Sequence, residues 1–178
     1  MDIILAVSTF LLALFTAFMA YYTRSMARET VNLAKESREA SFRQIRVQVW
    51  LEFCKRFDSP EILKARDKMA LLMRITPEAP KQLISDTLMN FFEDLAIVYR
   101  TGYIDKELAK NTFSYFVCRW WEASKLYVDH ERQTHNKDQT IFAEFENLAK
   151  EMRLPNEIIT RDDVAKFLQD EKDIASET

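Results

Sequence analysis

The chain has 178 residues, 48% hydrophobic and 30% charged, with a formal net charge of −3, and such averages describe one ordinary soluble domain. One glycine and four prolines leave strand-rich sandwiches, doubly wound sheets, dinucleotide fingerprints and Walker loops without the turn residues they need. The composition points to an all-α chain.

From Ile3 to Tyr22 the sequence runs IILAVSTFLLALFTAFMAYY, without a charge. About 20 such residues cross about 30 Å of hydrocarbon, so this stretch is read as a membrane span. A cleaved secretory signal needs a positive stretch before the apolar run and small residues after it. Here only Met1 and Asp2 precede, and Met19, Tyr21 and Tyr22 close the run. Tyr21 and Tyr22 stand where interfacial aromatics belong, and Arg24, Arg28, Lys35, Arg38, Arg43 and Arg46 follow, against Asp2 alone on the other side. The positive-inside rule therefore puts the N-terminus outside and the C-terminal body in the cytoplasm. A reducing compartment suits Cys54 and Cys118 as free thiols in apolar helical contexts.

No Gly or Pro occurs before Asp58, so the helix beginning near Ile3 is expected to continue to about Phe57, a rod of roughly 80 Å. Alternating steps of three and four from Ala6 give Ala6, Thr9, Ala13, Thr16, Ala20, Thr23, Ala27, Thr30, Ala34, Ser37 and Ser41. Every residue on this line is small, and the line ignores the boundary between lipid and water. Fifteen Ala, Ser and Thr residues lie between Met1 and Phe42, and eleven of them fall on it, which chance clustering does not readily supply. A seven-residue period faces a supercoiled partner, and small side chains let helix backbones approach where lipid removes the hydrophobic drive. Leu5, Leu12, Met19, Met26, Leu33 and Ala40 add an apolar shoulder, while Ser25, Arg28, Glu29, Asn32, Lys35, Glu36 and Glu39 form a polar face. Parallel self-association is the preferred reading of this seam. Packing of its cytoplasmic half on the protein's own body, or a polar path lined by Thr9, Thr16 and Thr23 in a higher oligomer, would use the same residues. Abundant Ala, Ser and Thr with hydroxyls bonded to their own helix is the plain reading.

Larger apolar residues then take over, with Phe42, Ile45, Val49, Trp50, Phe53 and Phe57 at helical spacing, marking the start of a packed core. Ser59-Pro60 opens a second helix that ends before Thr76-Pro77-Glu78-Ala79-Pro80. A third begins near Lys81, carries Ile84, Leu88, Phe91, Phe92, Leu95, Val98 and Tyr99, and terminates at Gly102. Asp105 caps a fourth over about Lys106 to Glu131. Two shorter helices are expected over about Gln139 to Arg153 and Arg161 to Glu171, the last opened by Thr160 and Asp163 in capping-box order. The expected architecture is thus all-α: an N-terminal transmembrane helix (1–23), its continuation as a cytoplasmic stalk (24–46), a compact bundle of about five helices (47–174) and a disordered tail (175–178). Asp2 gives the first segment −1, six basic against three acidic groups give the stalk +3, and −5 is left for the remainder.

Few constellations carry chemistry. Gly102-Tyr103-Ile104-Asp105 has the look of a calcium loop, but its ligand positions fall on Ile97, Tyr99, Thr101 and Leu108, so helix capping explains it better. His130 and His135 are five apart, about 140° around a helix, and would not converge on one zinc ion. Two separated cysteines make neither a zinc ribbon nor a redox pair. Trp120 and Trp121, with Arg119 or Arg100 as an anion contact and Glu93 nearby, offer a pocket for a planar ligand, although core packing is the simpler reading. Glu93 and Asp94 interrupt an apolar helix, where one could cap a helix, pair with an arginine or serve as an acid or base. No catalytic residue, metal ligand or cofactor is expected. The basic stretch after the span is interleaved with Glu29, Glu36 and Glu39 and is explained by topology and anionic lipid, without nucleic acid.

The run Asn90-Phe91-Phe92-Glu93-Asp94-Leu95-Ala96, then Gly102-Tyr103-Ile104-Asp105, then Trp120-Trp121-Glu122, resembles a bacterial family of short membrane-anchored proteins catalogued as a domain of unknown function. The resemblance covers about Arg28 to Arg132. It implies a bacterial origin and a single N-terminal span, with no activity or functional residues to carry over. The expectation is a non-enzymatic, single-pass inner-membrane protein whose cytoplasmic bundle is an interaction or sensing module. Its expected partners are membrane lipid, further copies of itself, and an unidentified protein or small molecule. The alternative is an oligomeric membrane effector, of stress or phage-defence type, whose spans permeabilise the membrane when the bundle senses a signal.

Overall fold

Six helices and no strand occur among residues 2–75 and 86–176, which the computed structural model describes. The order is α1 (Asp2–Phe57), α2 (Pro60–Ile75), α3 (Asp86–Arg100), α4 (Lys106–Thr134), α5 (Ala143–Met152) and α6 (Arg161–Ser176). The link Thr76 to Pro80, the expected start of α3 near Lys81 with Ile84, and the last two residues of the expected 175–178 tail lie outside the described residues. The chain divides into two compact units, Met1–Ile45 and Arg46–Thr178.

The first unit is the part of α1 up to Ile45. Without Gly or Pro nothing local interrupts its hydrogen-bond ladder, and it is the one helix among the described residues long and apolar enough to cross a membrane. The small-residue line from Ala6 to Ser41 is exposed throughout. Thr16 and Thr30 donate to Leu12 O and Met26 O at 2.8 Å, and Ser41 donates to Ser37 O at 2.9 Å, so these hydroxyls are satisfied within their own helix. Phe42 and Ile45 are exposed, at 44% and 41%, and the packed core starts with Val49, Trp50 and Phe53. The helical spacing of Phe42 and Ile45 says that they share a face with the core residues; it does not say where the covering helices begin.

In the second unit the end of α1 and helices α2 to α6 enclose an aromatic core. Phe57 packs against Phe116, Phe113 and Phe91 at centroid distances of 4.8, 5.3 and 5.5 Å, and Phe92 stacks on Phe145 at 4.8 Å. These rings bury large areas where helices meet. The helix ends follow local chemistry. Gly102 adopts φ +78°, its N–H donates to Tyr99 O and the Tyr103 N–H donates to Val98 O, the paired bonds of a glycine-terminated helix. Asp105 caps α4 by accepting from the Leu108 N–H at 2.9 Å. Thr160 and Asp163 accept each other's backbone N–H at the start of α6, at 3.2 and 2.9 Å.

Several boundaries differ from expectation. Helix α6 continues past Glu171 to Ser176, so Ala175 and Ser176 of the expected disordered tail are helical, because no Gly or Pro interrupts the ladder there. Helix α4 runs on to Thr134, and α5 starts at Ala143, four residues after Gln139. Asn136, Lys137 and Phe142 all have positive φ, and the Asp138 carboxylate accepts from both the backbone and the hydroxyl of Thr140. That local turn competes with the helix until Phe142 is passed.

Candidate functional site

The two tryptophans are neighbours on α4 but face different helices. Trp120 is fully buried and meets Phe167 of α6 edge-on at 5.2 Å; its Nε1–H has no acceptor among the described residues. Trp121 meets Phe145 of α5 at 5.3 Å. Arg119 lies over the Tyr115 ring at 3.9 Å and reaches Glu157 at 3.9 Å, while Arg100 is bound to Glu144 at 2.9 Å on an exposed surface. Glu93 accepts from the backbone N–H groups of Glu144 and Phe145, at 3.2 and 2.7 Å. It therefore caps α5 across the bundle, where Phe142 at the N-cap offers no side-chain oxygen. Asp94 pairs with Arg56 at 2.9 Å. Glu93, Arg100 and Trp121 thus all reach α5, whereas Trp120 turns to α6, and the five residues do not line one cavity.

Sequence reasoning missed a cleft between α4 and α5 of about 390 Å³. Trp121 and Ala149 form its apolar part, and charged residues from both helices form its walls. Two ion-pair relays cross here. On one side Glu122 accepts from Lys125 at 2.7 Å and from Arg153; on the other, Glu146 accepts from Lys150 at 2.6 Å and pairs with Arg132 at 2.8 Å. Each relay places one carboxylate between a lysine on its own helix and an arginine from the opposite side. The i,i+3 and i,i+4 spacings of the lysines were visible in the sequence; the arginine partners, 31 and 14 residues away, were not.

Burial works against the charged form of Glu122, but hydrogen bonds from Lys125 and Arg153 outweigh it and hold its carboxyl below the usual value. The Lys150 hydrogen bond, helped by Arg132, does the same for Glu146. Contact with Glu122 in turn pushes the Arg153 guanidinium up. Glu122, Glu146 and Arg153 are therefore charged at neutral pH. The relays do not satisfy every donor: Arg132 Nη2 and Arg153 Nε are buried without an acceptor among the described residues, a cost of about 1–3 kcal/mol for each such group. Arg132 also donates from Nε to Ile141 O at 3.0 Å, which ties it to the turn before α5.

Other candidate chemistry has structural occupations. His135 caps the end of α4, with its Nδ1 2.9 Å from Glu131 O, and Gly102 and Asp105 serve as helix caps. Burial pushes the thiols of Cys54 and Cys118 up, away from the reactive thiolate. Among the described residues no group of three or more His, Cys, Asp or Glu side chains could hold a metal ion.

The family model of a domain of unknown function, DUF4760, matches residues 3–152, and the chain belongs to that family. The match is wider than the motifs around Asn90 to Glu122 suggest, running from the apolar start of α1 to the last residue of α5 and leaving α6 outside. No curated protein and no solved structure matches the chain.

Proposed function

We propose that this member of the DUF4760 family is a non-enzymatic, single-pass protein of the bacterial inner membrane, with its N-terminus outside and its bundle in the cytoplasm as an interaction or sensing module. It self-associates in parallel through the line from Ala6 to Ser41. The observation that carries this reading is the heptad-spaced line itself: eleven small residues on one unbroken helix, all exposed, crossing from an uncharged stretch into a basic one. In lipid such a surface is useful for close helix packing and offers little else, because lipid tails are as apolar as the side chains they would displace. The six basic residues that follow the span support the orientation. Neighbouring copies and membrane lipid are the partners this surface fits.

Replacing Ala13 and Ala20 by Leu puts two large side chains into the seam without changing hydrophobic length. Crosslinking in membranes is expected to show association weakened by roughly tenfold, about 1.4 kcal/mol. Undiminished crosslinking would remove the seam. Ion flux through liposomes carrying the intact chain would assign it instead to the membrane-effector class.

A further inference from the structure

The cleft between α4 and α5 is built unlike an ordinary surface salt-bridge patch. Its walls hold four cations, Lys125, Arg132, Lys150 and Arg153, against Glu122, Glu146 and Asp129. Each relay sets two cations on one carboxylate, and with Asp129 counted the walls carry one unit of positive charge in excess. Each relay also contains a buried arginine N–H with no acceptor among the described residues, Nη2 of Arg132 and Nε of Arg153. The Arg132 side chain is only 9% exposed and borders a second cleft of about 380 Å³ that adds Lys137. Buried donors in native proteins find acceptors, and a guanidinium fork best matches carboxylate or phosphate oxygens.

We infer that this cleft binds a phosphoryl dianion, whose oxygens accept from Arg132 and Arg153 while Lys125 and Lys150 flank it. A phosphomonoester offers three acceptor oxygens to the two spare arginine donors, and its negative charge answers the excess of four cations over three carboxylates on the walls. The three carboxylates on the same walls and the net negative charge of the chain disfavour an extended polyanion such as nucleic acid. The inference supplies the ligand class for the sensing reading and rests on that reading only for its consequence. A soluble phosphomonoester and a lipid phosphate share this chemistry.

The test is calorimetric titration of the full chain in detergent micelles. Inorganic phosphate is titrated at ionic strength matched with chloride, and phosphatidic acid is added to the micelles in a separate arm. Saturable binding at one site per chain is expected, weakened at least tenfold by Arg153→Gln and measurably by Lys150→Gln, whose exposed position leaves the fold intact. Lys55→Gln, on an exposed part of α1, should bind as the parent does. Heat from phosphate assigns a soluble ligand, and heat from phosphatidic acid alone assigns a lipid. No heat beyond the chloride blank in either arm overturns the inference, as does binding that neither cleft variant weakens. Binding with undiminished crosslinking in the Ala13→Leu, Ala20→Leu chain leaves the cleft assignment standing and removes the seam. Weakened crosslinking with a silent cleft leaves the seam standing and overturns the cleft.

Discussion

Gly102 is the single glycine of the chain, and its φ of +78° lies where an L side chain is strained. The nearest group to an added Cβ would be Arg46 Nη2 at 3.9 Å, an ordinary contact, so space is not the constraint. Gly102→Ala is therefore expected to cost about 1–2 kcal/mol through the backbone alone. Urea unfolding of the full chain in micelles, followed by tryptophan fluorescence, measures it, because Trp50, Trp120 and Trp121 all lie in the second unit. A loss as large as a core truncation would contradict that account. Glu93 makes the complementary point. Its position in an apolar helix marks it as unusual, yet its partners are backbone groups 51 and 52 residues away, which local patterning does not reveal.

At the scale of elements, α6 shows how much an assignment by periodicity leaves out. Its capping box and apolar spacing are legible, but its main polar anchor is a buried bidentate pair with α2. Arg66 donates to Glu171 at 2.6 and 2.8 Å across 105 residues, with side chains 5% and 2% exposed. The guanidinium also lies over the ring of Phe57 at 4.3 Å. Glu171→Gln would leave the Arg66 charge buried without its counter-charge and is expected to destabilise by about 3–5 kcal/mol. Replacing both partners, as in Arg66→Met with Glu171→Leu, should restore most of that loss, because neither desolvated charge remains. Loss of the half-exposed Lys106–Glu151 pair by Glu151→Gln should cost at most about 1 kcal/mol in the same unfolding assay. A double variant no better than the single one would mean that the pair itself, and not the isolated charge, carries the stability.

Across the molecule, charge is divided by segment: −1 before the first arginine, +3 over 24–46 and −5 beyond. In the acidic second unit, Glu122, Glu146 and Glu151 are held below the ordinary glutamate value of 4.5 by their cationic partners. Their folded values lie below their unfolded ones, so the stability they contribute is present above pH 4.5 and disappears as pH falls through the folded values. The urea midpoint should hold steady down to about pH 5 and drop below it, with a shallower drop in Glu122→Gln combined with Glu146→Gln. An equal acid slope in parent and variant would mean that other carboxylates dominate.

The all-α class, the unbroken N-terminal helix, the stop at Gly102 and the starts at Asp105 and Thr160 were set by the sequence itself, because each depends on residues within a few positions of one another. The apolar spacing of the third helix likewise identified Leu88, Phe91, Phe92 and Leu95 as interior. Tertiary structure decided the rest: that Phe42 and Ile45 stay outside the core, that Trp120 and Trp121 part company, that Glu93 caps α5, and that Arg132 and Arg153 meet in one cleft. Periodicity says which face of a helix is apolar. Which helix covers that face, and which distant charge answers a buried one, is settled only when the elements pack, since burial and ion pairing depend on distance in space.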